Sequence, residues 1–175
     1  MVNNILGNGP NSRLFRNIRE NKKYAYYIAS NIIINDYKTI FSLKTQINLH
    51  HVNDTINLLI KELHDITTHY ISDKELENNK KEEIGHFIMK FENPIKYINY
   101  IINEIKYPKN FLKNYILNIK NITKEQILET AKKYFLINYF RIIIIGNNFN
   151  IKEMKKFGYP IYLYNTNGLL QKNCI

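Results

Sequence analysis

Ser12-Arg13-Leu14-Phe15-Arg16-Asn17-Ile18-Arg19-Glu20-Asn21-Lys22-Lys23-Tyr24-Ala25-Tyr26 is the stretch on which the reading of the fold turns. Serine at its head is a helix N-cap residue type, because a short side-chain oxygen can accept from the free amides of the first turn. Leu14, Phe15 and Ile18 recur at helical spacing, which predicts a helix through about Glu20 with those three as its buried stripe. Asn21-Lys22-Lys23 then turns the chain, and a turn there favours φ > 0, a conformation Asn21 takes more readily than Lys23. From Tyr24 to Ile34 the residues are β-branched or aromatic and predict a strand. Arg19 therefore sits at a helix end, and Tyr26 on the strand that follows. Upstream, Asn3 to Leu6 before Gly7 reads as the last turn of a helix with a glycine cap, and Gly7-Asn8-Gly9-Pro10 as a turn.

Downstream, Asn35-Asp36 predicts another turn. Phe41 to Leu49 alternates, with Phe41, Leu43, Thr45, Ile47 and Leu49 on one face, as a half-buried antiparallel strand does. Val52 to His69 carries Ile56, Leu59, Ile60 and Leu63 at helical spacing. Ser72-Asp73-Lys74-Glu75 is a capping box for a helix to about Lys90, and Thr123-Lys124-Glu125-Gln126 is another for a helix to about Phe135. Asn93-Pro94 opens a helix, and Tyr107-Pro108 ends it and opens the next. Phe140 to Ile145 predicts a central strand closed by Gly146. A short helix near Ile151 to Lys156 and an edge strand at Pro160 to Tyr164 complete the order. The expectation is an α+β fold, a mixed or antiparallel sheet covered on one face by a layer of helices, in a single domain over residues 1–175.

The chain has 175 residues, 45% of them hydrophobic, enough for a buried core. Its apolar runs are strand-sized, so no membrane span is expected. Met1-Val2-Asn3-Asn4 has neither a basic start nor an apolar stretch, so the chain as written reads as cytoplasmic. One cysteine, Cys174, excludes an internal disulfide. The net charge is +10, which alone would point to nucleic acid. The abundance of Asn, Ile, Lys and Tyr accounts for it more simply, as the mark of an AT-rich coding sequence. Arginine runs against that bias, and three of the four arginines (Arg13, Arg16, Arg19 and Arg141) fall within seven positions.

Four segments, in order, resemble the insulinase, pitrilysin and mitochondrial-processing-peptidase family, in its C-terminal, zinc-less type of domain and most closely its bacterial members. They are Ile5 to Gly9 with Ser12-Arg13-Leu14-Phe15, Ile18-Arg19-Glu20 and Tyr24-Ala25-Tyr26; Ile71 to Glu77 with Lys80; Phe91-Glu92-Asn93-Pro94 with Tyr107 to Phe111; and Ile122 to Phe135 followed by Ile142 to Gly146. Asn8 and Lys23 stand where the family has glycine. The family domain begins with a strand and most of a helix before the glycine turn, so the chain reads as N-terminally truncated, and a decayed gene fragment is one alternative to a working domain.

The family's zinc motif, His-x-x-Glu-His, has no counterpart here. His50, His51, His64, His69 and His86 include no pair four apart, so no metal site is expected in this chain. No nucleophilic arrangement is legible, and Gly7-Asn8-Gly9 lacks the Lys-Ser/Thr of a phosphate loop. The resemblance implies that no residue here is catalytic and that zinc is held by a partner domain or chain. It also implies that a peptide substrate is gripped by Arg19 and Tyr26, with Tyr24 flanking them; bacterial members are often exported, which makes the periplasm an alternative compartment, although no export signal is visible here. The residues alone also fit a plainer reading, in which Arg19 pairs with a carboxylate and Tyr26 packs in the sheet. Arg13 and Arg16 read as structural or surface residues. The rival function is a basic nucleic-acid-binding module with tyrosines for stacking; it has the charge but no recognised motif.

Overall fold

The computed structural model describes residues 1–34, 37–104, 110, 112–147 and 150–174. The fold is α+β. Helix α1, Val2–Leu6, is followed by a wide-wound helix, Phe15–Asn21, and by strands β1, Ala25–Ile34, and β2, Thr39–Ile47. The helical layer is α2, Val52–Thr68; α3, Asp73–Met89; α4, Pro94–Glu104; α5, Tyr115–Lys120; and α6, Lys124–Tyr134. A short helix α7, Ile151–Met154, and a hairpin of β3, Ile161–Tyr164, and β4, Leu170–Cys174, end the chain.

β1 and β2 pair antiparallel, with Ile28 opposite Thr45 and Ile32 opposite Phe41. Helices α1, α2, α3 and α6 and the Phe15–Asn21 helix pack together with β1. Ile5, Leu6, Leu14, Ile18, Ile28, Leu63, Ile66 and Ile127 are all at most 4% exposed. Each such side chain removed from water contributes about 1.5–3 kcal/mol, so this cluster dominates the stability. Phe41 reaches from β2 to Phe135 at the end of α6, ring centroids 4.6 Å apart.

Gly7 shows why the N-terminal turn needs glycine. Its φ of −156° suits any residue, but a Cβ there would lie 2.6 Å from Ser30 Oγ and 2.9 Å from Leu14 Cδ1. The bare backbone lets α1 lie against β1. The Gly7 carbonyl accepts from the Ser30 amide at 2.9 Å, and Ser30 Oγ donates to Asn3 Oδ1 at 2.7 Å. Glu83 of α3 ties three helices, accepting from Asn4 Nδ2 of α1 and from the Tyr115 hydroxyl of α5. Burial lowers the pKa of the Met1 amine, against the pull of Glu83.

Both predicted capping serine and threonine residues of the middle helices act as caps. Thr123 and Gln126 form the reciprocal box. Ser72 accepts from the Glu75 amide at 3.1 Å, but the Glu75 carboxylate turns away to Arg13 instead of closing the box. Asn93 Oδ1 accepts from the Ile95 amide and starts α4.

Several expectations are corrected. Ser12 does not accept from the first turn; its hydroxyl donates back to the Gly9 carbonyl at 2.6 Å, so the turn and not the helix is capped. Lys23, not Asn21, adopts the positive φ, at 58°. β2 ends at Ile47, and Leu49 stands 43% exposed in a 3-10 turn. Phe140 to Ile145 is not a central strand. It pairs with no strand among the described residues, and Ile142, Ile143 and Ile145 are 46%, 84% and 94% exposed. An apolar β-branched run fits a strand only where a neighbouring strand takes its amides and carbonyls, and no described strand lies beside it. The expected single sheet is therefore two two-stranded antiparallel sheets, and the edge strand near Pro160 pairs with β4, which the sequence did not announce. Asn35-Asp36 and Tyr107-Pro108 lie outside the described residues.

Candidate substrate-binding site

Arg19 projects from the Phe15–Asn21 helix, whose winding is wider than α. The helix enters with an ordinary i−4 bond, Arg16 N–H to Ser12 O at 3.1 Å. It leaves with an i−5 bond, Lys22 N–H to Asn17 O at 3.3 Å. Such π-wound turns cost hydrogen-bond quality and are frequent at functional sites, because the extra residue per turn redirects side chains. Leu14 and Ile18 are fully buried beneath the helix, so its opposite side is fixed toward solvent. Arg19 lies on that exposed side. Its guanidinium carbon stands 4.6 Å from the centroid of the Phe15 ring, a cation–π contact that orients it without neutralising it. No carboxylate lies within ion-pair distance of Arg19 among the described residues.

Tyr26 belongs to β1 at a bulge. Ala25 pairs with Ile47 and Tyr27 with Gln46, so Tyr26 is the extra residue on its strand. The bulge breaks the in-out alternation. Ala25 and Ile28 are buried, and Tyr26 and Tyr27 between them are 80% and 46% exposed. The Tyr26 hydroxyl has no hydrogen-bond partner among the described residues. The helix and strand are joined directly where the Tyr24 amide donates to the Ile18 carbonyl at 3.0 Å, and the two elements pack along one another. Tyr24 is itself held by a face-to-face stack on His51, centroids 4.1 Å apart and planes 11° from parallel. Arg19 therefore stands in no ion pair among the described residues, and Tyr26, though part of β1, turns its ring to solvent.

The other arginines differ in kind. Arg13 forks onto Glu75, Nε to Oε1 and Nη2 to Oε2 both at 2.8 Å, and its Nη1 meets Asp65 Oδ2 at 2.6 Å. The hydrogen bonds it donates to Glu75, with the charges of Glu75, Asp65 and Glu62, hold its pKa above the ordinary value against partial burial. It ties the segment that leads into the wide-wound helix to α2 and α3, a structural role. Arg16 is half-exposed, 3.9 Å from the already occupied Glu75. The partners Asp65 and Glu75 escaped sequence reasoning, although Glu75 stood in view as the acidic member of a capping box.

Between the wide-wound helix, α2 and α3 opens a polar cleft of about 820 Å³; neither Arg19 nor Tyr26 lines it. For a metal, the donors do not fit. Among the described residues no three His, Cys, Asp or Glu side chains gather closely enough to hold one. His51 is stacked on Tyr24, and His69 Nδ1 lies 3.1 Å from Asp65 on its own helix. No helix among the described residues is long and apolar enough to cross a membrane.

Residues 1–83 match the family model described as peptidase M16 inactive domain. Among solved structures, a conserved protein from Enterococcus faecalis V583 matches with a TM-score of 0.66 at 27% identity, over 75% of this chain and 31% of that one. A peptidase M16 inactive domain from Pseudomonas fluorescens matches with a TM-score of 0.64 at 21% identity, over 75% and 32%. A protease from Helicobacter pylori matches with a TM-score of 0.66 at 16% identity, over 77% and 33%. The last two likenesses are of fold alone. The chain spans about a third of the length of each of these structures. No curated protein matches it.

Proposed function

We propose, from the match of residues 1–83 to the peptidase M16 inactive-domain model, that the chain is the non-catalytic, substrate-binding half of a two-part zinc metallopeptidase. A partner domain or chain carries the metal and the hydrolytic machinery. This half supplies a wall against which an unfolded peptide is held.

Arg19 and Tyr26 are the gripping residues. A guanidinium presents fixed N–H donors to a peptide carbonyl, and a phenol O–H donates to an oxygen that gains negative charge as the peptide bond is attacked. The observation that carries the reading is that both groups are free where they stand. Arg19 is steadied by a ring and by no carboxylate among the described residues, and Tyr26 is thrown out to solvent by a bulge. Structural arginines look like Arg13, with every arm engaged.

The test is peptide hydrolysis by this chain mixed with a zinc-bearing His-x-x-Glu-His partner, with each alone as control. Activity is expected only in the mixture. Tyr26→Phe lowers kcat by roughly a hundredfold if its hydroxyl meets the developing charge. Arg19→Ala chiefly raises KM, by about tenfold, because it removes a contact made before the reaction begins. Activity of the partner that is unchanged by adding this chain sinks the reading. So does a mixture indifferent to both substitutions.

A further inference from the structure

We infer that the open edge of β2 receives the Phe140 to Ile145 run of a second copy of this chain, so that two copies join their sheets by exchanging strands. None of these residues carries the peptidase reading, and the failure of either leaves the other standing.

Two bonds fix which way the backbone groups of the β1–β2 pair point. The Ser30 amide donates to Gly7 O and the Ser30 carbonyl accepts from Asn3 Nδ2, so Ser30 turns its polar backbone away from β2. The Tyr27 carbonyl accepts from Thr45 Oγ1, so Tyr27, of opposite parity, turns toward β2. Facing residues of an antiparallel pair either both point at one another or both point away. Ser30 faces Leu43, and the register then turns the backbone groups of Thr39, Phe41, Leu43 and Thr45 outward. None of these amides and carbonyls has a hydrogen-bond partner among the described residues. The outer edge of β1 is covered at Ser30 by the N-terminal turn; the outer edge of β2 is bare, and a bare edge is a template for another strand.

Phe140 to Ile145 is a strand without a sheet. Phe140 is extended, with φ −69° and ψ 148°. Burial alternates along the run: Phe140 and Ile144 are half-buried and Ile142 is 46% exposed, against 84% and 94% for Ile143 and Ile145. Ile142 to Ile145 form no backbone hydrogen bond among the described residues. Each copy thus carries one open edge and one orphan strand, the self-complementary set that a two-fold dimer needs.

The course of the run favours a second copy over its own. It starts where the Phe140 ring lies 6.2 Å from Phe41, and the chain returns to α2 where Glu153 accepts from Asn53. Asn53 lies past the end of β2 at Ile47, so the run travels in the same sense as its own β2. A two-fold axis across the sheet reverses that sense, and antiparallel pairing is the more stable. Side chains choose the register. With Ile142 opposite Phe41 and Ile144 opposite Thr39, the half-buried face of the run joins Phe41 and Leu43 on the side that packs against the helices. Arg141 then falls opposite Ser42, and Ile143 opposite Ile40 on the open face. A shift of two residues one way sets Arg141 against Lys44, a like-charge pair; the other way carries Ile144 past the start of β2 at Thr39. In the favoured register Ile142 and Ile144 give each exchanged strand about four ladder hydrogen bonds.

Analytical ultracentrifugation of the whole chain tests this, in about 0.3 M salt so that repulsion between two chains of net charge +10 is screened. A dimer should form at about 100 μM and dissociate on dilution. Hydrogen exchange at the Ile142 and Ile144 amides should slow as concentration rises. Ile144→Pro removes one amide of the run and Thr39→Pro one amide of the edge, and neither amide is bonded within a copy. Each variant alone should lose the dimer by at least about tenfold with its helical circular dichroism unchanged. Mixed, the two should associate again, because the intact run of one meets the intact edge of the other. Ile143→Lys guards against a proline variant that fails to fold. Its side chain is already in solvent, and it should weaken the dimer by about tenfold by setting a lysine beside Lys38 of the second copy. A chain that stays monomeric overturns the inference, in favour of pairing within one copy if exchange at Ile142 and Ile144 is slow, and of a run left in water if it is fast. A dimer indifferent to Ile144→Pro and Ile143→Lys overturns it in favour of another surface, such as β2 against β2. Folded proline variants that do not associate when mixed overturn it too.

Discussion

Two regions of this molecule spend the same residues in opposite ways. Within residues 1–83 a core of isoleucine and leucine closes on itself: Ile5, Leu6, Leu14, Ile18 and Ile66 are at most 1% exposed, while Ile32, Ile34 and Leu49 stand at its edge in solvent. From residue 136 onward no described residue is buried, and Ile143 and Ile145 are 84% and 94% exposed. Composition does not separate the regions; closure does. The first has α1 lodged against β1 through a glycine contact, two helices clamped by one guanidinium, and a carboxylate tying three helices. The later region has a lone hairpin and an extended run. A two-stranded hairpin alone is marginal in water. The family model covers the first region, residues 1–83, and the core continues beyond it through Ile127 and Ala131, which are 3% and 0% exposed.

The widest test of that contrast is a pair of truncations. Leu14→Ala removes a side chain with 0% exposure at the centre of the first region and should cost about 3–4 kcal/mol in urea unfolding. Ile143→Ala should cost less than about 0.5 kcal/mol, because its side chain is already in water. A comparable loss at both positions would break the contrast and mean that the later run is packed in solution.

A second test bears on what clamps the first region. Arg13→Ala leaves Glu75, 15% exposed, without its forked partner, while Asp65, 46% exposed, can be rehydrated. An uncompensated and fully buried charge would cost more; here the loss should be about 2–3 kcal/mol. Arg13→Lys should recover only part of it, since an ammonium cannot span both Glu75 oxygens and Asp65. Arg19→Ala, by contrast, should change stability by less than about 0.5 kcal/mol. If Arg19→Ala proves as costly as Arg13→Ala, the division between structural and binding arginines collapses.

The elements legible in the sequence were those whose cause is local. The Thr123 capping box, the Ser72 cap, the Asn93-Pro94 start and the alternation of β2 all depend on neighbours a few residues away, and each is present. What was not legible depends on distant partners. The strand expected at Phe140 to Ile145 needs a neighbouring strand, a fact that lies nowhere in those six residues. A serine hydroxyl can accept from a following helix or donate to a preceding turn, and that of Ser12 donates to the Gly9 carbonyl. At the candidate site, Arg19 and Tyr26 could be picked out by residue type and by resemblance. Their exposure could not, because it comes from a wide-wound helix and a bulge. A period-2 reading of β1 puts Tyr26 and Tyr27 on opposite faces; one extra residue puts both outside.

The smallest effect sharpens the contrast at the level of a single backbone torsion. Lys23 holds φ at 58° in the turn that joins the wide-wound helix to β1, and Asn110 holds 64° beyond α4. For a lysine this left-handed region costs about 1–2 kcal/mol, because Cβ crowds the following carbonyl. Asparagine visits it more easily. Glycine would relieve Lys23 of that strain but would free the unfolded chain, at about 0.5–1 kcal/mol. The balance favours the substitution, so Lys23→Gly should stabilise by about 0.5 kcal/mol, and Asn110→Gly should gain nothing or lose slightly. The closely packed first region tolerates the strain because the turn is fixed from both sides, by the Lys22 amide on Asn17 O and the Tyr24 amide on Ile18 O. Destabilisation by Lys23→Gly would mean that the lysine side chain holds the turn, and that the strained torsion follows from that contact and not from the backbone bonds on either side.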